Sequence, residues 1–123
     1  MLNFNSLMIG TTQPKVLGEF YNKVFDKAPE MEDEGGYGWQ VGSAFFTLLD
    51  HSEMGGKSKD PGRVMFNLET TEVNKEFERI SAIPGATVVK APYEMEGADG
   101  MQIATLADPD GNYFQLMSPW NGQ

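Results

Sequence analysis

The first half of the chain carries an order of apolar patterns that predicts one strand, one helix and two further strands. Over residues 15–25 apolar side chains recur at spacings of three and four, and Pro14 precedes them at a first-turn position where its missing N–H costs nothing. Gly42 and Ser43 separate two apolar segments and predict a two-residue hairpin. The strands are predicted at residues 2–10, 37–41 and 44–49, and the acidic run 30–34 predicts a solvated connector or a short edge strand.

The second half repeats this order after a polar, glycine-rich stretch. Residues 51–62 lack hydrophobic periodicity, which predicts a mobile linker. Val73, Phe77 and Ile80 then fall on one face of a predicted helix that opens at residues 70–72, runs to about residue 82 and is ended by Pro84-Gly85. The predicted strands of this half span residues 63–69, 86–89, 101–107 and 112–117, with an acidic loop at 94–99 and a turn containing proline and glycine at 108–111.

Composition narrows the function classes. A chain of 123 residues suffices for one domain, and its net charge of −9 argues against nucleic acid and an anionic membrane surface as partners. The absence of cysteine excludes disulfides and thiolate chemistry, and His51, the single histidine, cannot supply a site that needs two imidazoles from one chain. No apolar window approaches a membrane span and the N-terminus lacks a signal-peptide pattern, so we expect a cytoplasmic protein.

Parts of the two halves also match residue by residue. Residues 16–20 match residues 73–77 at an offset of 57 positions. Residues 45–49 parallel residues 113–117 at an offset of 68. Because the matched segments occupy the same place in the order of predicted elements, they indicate a tandem duplication.

The duplicated plan, the Phe20-Tyr21 pair in the first helix and the closing turn Asp108-Pro109-Asp110-Gly111-Asn112 resemble the vicinal oxygen chelate superfamily. This group includes glyoxalase I, bleomycin-resistance and fosfomycin-resistance proteins and extradiol dioxygenases. The resemblance implies an α+β fold of two tandem βαβββ modules, about residues 1–50 and 63–118 on either side of the linker 51–62. Their mixed sheets would curl around a concave cavity with the helices on the convex side, and two chains would form a homodimer.

The resemblance also implies where catalytic relatives hold a divalent metal. The corresponding positions of this chain, taken through the repeat offsets, are Ser6, Thr47, Arg63 and Gln115. None is a histidine or a carboxylate, the ligands that zinc, nickel and iron prefer, and a guanidinium has no lone pair to offer. We therefore expect no metal and no cofactor at these positions.

Strand alternation then predicts what lines the cavity. Arg63, Met65 and Asn67 would share one face of their strand, and so would Gln115 and Met117 of theirs. Trp39, Tyr93 and Trp120 are candidates for stacking on a ligand. The full set of predicted ligand-binding residues is Ser6, Met8, Trp39, Phe45, Thr47, Arg63, Met65, Asn67, Tyr93, Gln115 and Met117.

Two charged candidates have alternative interpretations. Arg63 is either an anchor for a carboxylate, phosphate or enolate of the ligand, or an arginine that snorkels at the sheet edge or pairs with an acidic neighbour such as Glu69 or Asp60. His51 is either a general base beside Asp50 or Glu53 or an exposed linker residue.

Three functions remain open from the sequence. The first is a metal-independent protein that sequesters or senses a small organic ligand. The second is a glyoxalase- or dioxygenase-type enzyme, a lyase, isomerase or ring-cleaving oxygenase, with a displaced or intersubunit metal or with Arg63 assisting. The third is an interaction module whose cavity is vestigial.

Overall fold

The computed structural model describes residues 1–97 and 100–119, and the chain divides into two compact units. Unit 1 is Met1–Gly56 and unit 2 begins at Lys57, so the division falls inside the predicted linker. The backbone N–H of His51 donates to Thr11 in unit 1, and that of Ser58 donates to Asp110 in unit 2. The two ends of the linker are thus attached by hydrogen bonds to different units.

The described residues form two helices and eight strands, in the order expected of two βαβββ modules. Unit 1 holds β1 (Ser6–Thr11), α1 (Pro14–Phe25), β2 (Met31–Asp33), β3 (Gly36–Val41) and β4 (Ala44–Asp50). Unit 2 holds β5 (Phe66–Glu69), α2 (Val73–Ser81), β6 (Thr87–Glu94), β7 (Gln102–Ala107) and β8 (Tyr113–Met117). The predicted α+β class and tandem modules are confirmed.

Each unit has its own four-stranded mixed sheet rather than a share in one continuous sheet. The strand orders are β1-β4-β3-β2 and β5-β8-β7-β6, which are the same arrangement in the two units. In each sheet the opening strand pairs in parallel with the closing strand, and the remaining pairs are antiparallel. The repeat in the sequence therefore corresponds to two sheets with the same strand order and the same pairing directions.

Several predicted bounds were wrong. The first strand begins at Ser6 and not at residue 2, and β5 begins at Phe66 and not at residue 63. The predicted strand at 86–89 is in fact β6, which extends to Glu94. Of the two alternatives for the acidic run, the short edge strand is confirmed as β2. Residues 98–99 of the predicted acidic loop and Trp120 lie outside the described residues.

An aromatic cluster joins α1 to the sheet of unit 1. The rings of Tyr21, Phe25, Trp39 and Phe46 contact one another with centroids 4.7–6.0 Å apart. The Trp39 indole Nε1–H donates to Asn22 Oδ1 of the helix over 3.1 Å, so its polar atom is satisfied although the residue is buried. Burying each such ring contributes about 1.5–3 kcal/mol, which makes this face the main hydrophobic core of unit 1.

Unit 2 packs α2 on its sheet with aliphatic and phenylalanine side chains instead. Val73 and Ile80 of the helix are buried, as are Leu106, Phe114 and Leu116 of the sheet. Phe66 stacks on Phe114 across the parallel pair, with centroids 5.7 Å apart. The helix thus covers one face of the sheet and leaves the opposite face without a helix.

No helix among the described residues has the length and apolar content needed to cross a membrane.

Gly18 sets how closely α1 approaches its sheet. A Cβ atom at this position would lie 2.8 Å from carbons of the Tyr37 ring, a distance below van der Waals contact. Tyr37 in turn stacks on Trp39 with centroids 6.0 Å apart, which limits where its ring can move. The glycine thus permits a helix-to-sheet contact that any larger residue would obstruct.

We predict that Gly18→Ala lowers the free energy of unfolding by about 1–2 kcal/mol, because the added methyl displaces the Tyr37 ring. In a Tyr37→Leu background the same substitution is expected to be neutral or to stabilise by up to about 1 kcal/mol, since alanine has the better helix propensity. Urea unfolding of the four variants measures this coupling. An equal loss in both backgrounds would contradict the packing assigned to Gly18.

Candidate functional site on the open sheet faces

Each sheet has one face covered by its helix and one face opposite the helix, which we call the open face. In unit 1 the aromatic contacts of α1 place Trp39 and Phe46 on the helix side. In unit 2 Asn74 of α2 donates to the Gln102 side chain over 2.9 Å, which places Gln102 on the helix side. Since side chains alternate along a strand, the registers assign the remaining residues to one face or the other.

A row of four residues crosses the open face of unit 2 directly from strand to strand. Asn67 of β5 pairs with Gln115 of β8, which pairs with Thr105 of β7, which pairs with Lys90 of β6. All four side chains are polar, and we call them the polar row. The Gln115 Nε2–H donates to Thr105 Oγ1 over 3.0 Å, so the two middle members are linked to each other.

An apolar row lies beside the polar row on the same face. Met117, Ile103 and Tyr93 pair in sequence across β8, β7 and β6, and we call them the apolar row. Met117 and Ile103 are buried in a cluster with Met101, against which Met95 packs. A face with a few hydrogen-bonding groups beside apolar area has the composition typical of small-molecule sites.

A β-bulge brings Lys90 and Tyr93 to the same face. Three positions separate these residues in sequence, which in a regular strand would place them on opposite faces. The register shifts between them, because they pair with Thr105 and Ile103, only two positions apart. As a result the Lys90 Nζ lies over the Tyr93 ring, 4.7 Å from its centroid, in a cation–π contact.

The open face of unit 1 differs in chemistry from that of unit 2. Met8, Thr47, Gly38 and Met31 pair across its four strands. The Thr47 hydroxyl donates to the backbone carbonyl of Leu7 over 3.2 Å, within the sheet itself. A Cβ at Gly38 would lie 2.7 Å from the Phe45 ring, so that ring covers the glycine. Methionine and phenylalanine side chains therefore dominate this face.

Eight of the predicted ligand-binding residues lie on the open face of their own unit, four in each. Those on the open face of unit 1 are Ser6, Met8, Phe45 and Thr47, and those on the open face of unit 2 are Asn67, Tyr93, Gln115 and Met117. Sequence reasoning missed Thr105, Ile103 and Lys90. Alternation along residues 101–107 indicates the first two, whereas the bulge in β6 hides Lys90 from any alternation rule.

The prediction that Trp39 contacts a ligand was wrong, because the residue lies on the helix side of its sheet. Trp39 pairs with Phe46 and lies on the helix side, where it is 0% exposed and bonded to Asn22. Its strand alternates large apolar residues with glycine and glutamine, and in a half-buried strand the apolar set faces the core. Trp39 is thus a core residue of unit 1.

The strand placement of Arg63 and Met65 was also wrong. Both precede β5, and the backbone N–H of Arg63 donates to the Asp60 carbonyl in a turn. No ion pair joins the Arg63 side chain to Asp60 or Glu69 among the contacts of residues 1–97 and 100–119. The rule that Arg63 alternates onto the open face with Asn67 therefore does not apply.

The strand registers revise the repeat offset itself. Leu7 pairs with Phe46 and Phe66 pairs with Phe114, so the opening strands correspond at an offset of 59. In the helices Val16 is 46% exposed whereas Val73 is 3% exposed, so the five-residue match at 57 does not align equivalent positions. Residue 65 and not residue 63 then corresponds to Ser6. The offset of 68 for the closing strands is confirmed, since Phe46 and Phe114 occupy equivalent buried positions.

The donor set at these positions does not fit a transition metal. Ser6 and Thr47 offer neutral hydroxyls, Gln115 offers an amide, and the position that corresponds to Ser6 in unit 2 is a methionine. Such groups are poor ligands for zinc, nickel or iron compared with imidazole and carboxylate. Within residues 1–97 and 100–119, no three histidine, aspartate or glutamate side chains gather in a group that could hold a metal ion.

His51 follows β4 directly and lies beside the open face of unit 1. Its Nδ1 accepts the backbone N–H of Glu53 over 3.2 Å, which leaves Nε2 to carry the proton in the neutral ring. A Cβ at Gly10 would lie 3.5 Å from the His51 Cβ, so the residue packs over the end of β1. His51 is half-buried rather than fully exposed.

The turn between β7 and β8 fixes the register that builds the polar row. Asp108 is 1% exposed, and its Oδ1 accepts the backbone N–H groups of Asp110 and Asn112 over 2.9 and 3.0 Å. The Asn112 side-chain amide also donates to Asp108 Oδ2 over 3.0 Å. Gly111 has φ 81°, a left-handed conformation that glycine adopts without strain. This closed turn sets Thr105 opposite Gln115.

Two units of βαβββ topology, each with a helix on one face of a mixed sheet and an open face on the other, define a protein of the glyoxalase fold class. The sequence profile described as a glyoxalase-like domain matches residues 6–117, and the chain belongs to this family. The resemblance to the vicinal oxygen chelate superfamily is thereby confirmed. No curated protein matches the chain significantly.

Solved structures share the fold at low sequence identity. A glyoxalase-related enzyme from Fulvimarina pelagi is 17% identical with a TM-score of 0.79, covering 97% of this chain and 89% of its own. A glyoxalase/bleomycin resistance protein/dioxygenase family enzyme from Burkholderia phytofirmans PsJN is 24% identical with a TM-score of 0.75, with coverages of 95% and 98%. A lactoylglutathione lyase from Agrobacterium tumefaciens is 16% identical with a TM-score of 0.73, with coverages of 97% and 96%.

We predict that Asp108→Ala lowers the free energy of unfolding by about 3 kcal/mol, since it leaves buried donors of the turn without their acceptor. Asp108→Asn keeps one carbonyl acceptor and is expected to lose less. The control is Asp60→Ala, at an exposed position, which should change stability by less than about 0.5 kcal/mol. Urea unfolding measures all three, and equal losses in the three variants would contradict this role for the Asp108 carboxylate.

Proposed function

We propose that this protein binds a small organic ligand on its open sheet faces without a metal ion, in a sequestering or sensing role. The observation that supports this most is the composition of the polar row and the apolar row in unit 2. Together they offer hydrogen-bonding groups beside apolar side chains. A metal-dependent relative would instead need imidazole or carboxylate ligands on this face. Binding of this kind requires neither a nucleophile nor a Lewis acid.

The open face of each unit offers its own chemistry to a ligand. The amide and hydroxyl groups of the polar row orient a ligand, because a buried hydrogen-bonding group discriminates against partners that leave it unpaired. Met8 and Met31 of unit 1 are exposed, flexible and polarizable, and such side chains adapt to apolar ligands of irregular shape. These properties suit a binding protein more directly than an enzyme, which needs groups positioned to move protons or form covalent bonds.

We predict that the protein purified without chelator contains only substoichiometric transition metal, and that treatment with a chelator leaves ligand binding unchanged. Elemental analysis and thermal-shift titration measure the two quantities. A stoichiometric transition metal that activates turnover of a glyoxalase- or dioxygenase-type substrate would overturn the proposal in favour of an enzyme with a displaced or intersubunit metal.

We predict further that a compound identified in a thermal-shift screen depends on the polar row. A ligand that binds the native state raises the melting temperature by mass action. Gln115→Ala is expected to reduce this shift by more than half, because it removes the central amide of the row. Asn74→Ala, which removes an amide from the helix side of the same unit, should leave the shift unchanged. If the two variants reduce the shift equally, the open face of unit 2 is not the binding site.

We also propose that two chains associate as a homodimer. The support is that β1 and β5 are edge strands of their own sheets, with backbone hydrogen-bonding groups that a further strand can pair. Sedimentation velocity measures the association. A single monomeric species at concentrations where ligand binding is complete would contradict it.

A further inference from the structure

We propose that the ligand of unit 2 is an organic anion, with its charged group held by Lys90 and its apolar body against Tyr93, the exposed member of the apolar row. This inference rests on the proposed function and specifies the ligand class. It replaces Arg63, the cation expected from the sequence, with a cation that the strand registers place on the open face.

The position of Lys90 is fixed by two independent observations. Its pairing with Thr105 puts it at one end of the polar row, and its ammonium group lies 4.7 Å from the centroid of the Tyr93 ring. The ring holds the ammonium over the face through the cation–π contact. An ammonium group has three donors, and one ring face leaves donors that can reach an anion.

The charges around this position favour an anion at the Lys90 end of the site. No ion pair joins Lys90 to a carboxylate within residues 1–97 and 100–119, whereas Lys27, Lys75 and Arg79 each pair with a glutamate of their own segment. Glu94, the next carboxylate on β6, pairs in register with Gln102 on the helix side. The Lys90 charge on the open face is therefore not neutralised by these neighbours.

Glu69 makes the two ends of the open face of unit 2 opposite in charge. Glu69 of β5 pairs with Met117 of β8, so it lies on the open face at the opposite side of the sheet from Lys90. Strands are about 4.8 Å apart, which separates the backbones of β5 and β6 by about 14 Å. An anionic group is attracted at the β6 side and repelled at the β5 side, and this orients an elongated ligand along the rows.

The middle of the polar row indicates a second property of the ligand. Because Gln115 Nε2 donates to Thr105, the Gln115 side chain retains its Oε1 as an acceptor for a ligand. Gln115 lies two strands from Lys90, about 10 Å along the row. The preferred ligand thus has an anionic group at one end, a flat or irregular apolar body, and an N–H or O–H donor about two strand spacings from the charge.

A lysine on an edge strand can also serve to discourage pairing with other chains. That role requires only an exposed charge and predicts no selectivity for ligands. The experiment therefore compares two ligands that differ in charge and share an aromatic skeleton, so that a purely protective lysine would leave their relative affinities unchanged.

The two ligands are anilinonaphthalene sulfonate, which is anionic, and phenylnaphthylamine, which is neutral and lacks the sulfonate. Each is titrated by fluorescence into the wild-type protein and into Lys90→Gln, which keeps a polar end group on a shorter aliphatic stem and removes the charge. Lys75→Gln is the matched control, because Lys75 is an exposed lysine on α2, paired loosely with Glu72 at 3.9 Å. Arg63→Ala tests the cation that the sequence indicated.

We expect Lys90→Gln to weaken binding of the sulfonate dye about fivefold at low salt and to leave the neutral dye unchanged. Lys75→Gln and Arg63→Ala should alter neither affinity. Added salt should reduce the difference between the dyes in the wild-type protein and have little effect on it in Lys90→Gln. A loss confined to Arg63→Ala, or an equal loss from Lys90→Gln for both dyes, would overturn the assignment of Lys90.

The same titrations separate this inference from the proposed function. If Gln115→Ala weakens both dyes while Lys90→Gln weakens neither, the open face binds ligands and the assignment of an anion to Lys90 is wrong. If neither dye binds saturably to the wild-type protein or responds to Gln115→Ala, the binding function itself is contradicted.

Discussion

The parallel pairing of the opening strand with the closing strand in each unit is the constraint on which the other features depend. It joins residues about 40–50 positions apart, such as Leu7 with Phe46 and Phe66 with Phe114. Pairing residues so far apart in sequence costs conformational entropy, which only the contacts made after pairing offset. The antiparallel hairpins join residues that are close in sequence. Once the pairing is made, its register decides which side chain of every strand faces the helix. The open faces are thus a consequence of core packing.

The two units use one topology for two kinds of surface. Thr47 and Gln115 occupy equivalent positions in the closing strands, yet their neighbours across the sheet are Met8 and Gly38 in one unit and Asn67 and Thr105 in the other. Both cores are apolar, because each helix must bury an apolar stripe against a sheet, although unit 1 uses an aromatic cluster and unit 2 mainly aliphatic side chains. The open faces also differ in polarity between the two units, so the shared topology does not specify a ligand.

Local signals predicted most of the elements. The spacing of apolar residues in α1, the Gly42-Ser43 hairpin and the Asp108 turn each act within a few residues, so the sequence displays them directly. Trp39 was predicted to stack on a ligand, although its alternation with glycine and glutamine along β3 is typical of a residue that faces the core. The structure shows that the core needs it.

Other features could not be obtained from pattern alone. The start of β5 depends on pairing with β8, nearly 50 residues away in sequence. Because local pattern does not show this contact, the strand was predicted to begin at Arg63, three residues too early. The repeat offset drawn from five helical residues was two positions from the offset of the opening strands. Lys90 depends on a register shift in β6, and a bulge changes the face of every residue beyond it without any local hydrophobic signature.

The bulge between Lys90 and Tyr93 also has an evolutionary consequence. Point substitutions alter one side chain at a time, but gain or loss of a single residue at Ala91 or Pro92 would exchange which residues of β6 face each side. Because β6 is an edge strand, such a change leaves the pairing of the three other strands of the sheet intact. One insertion or deletion in β6 can therefore change the charge of the open face of unit 2 while the duplicated scaffold persists.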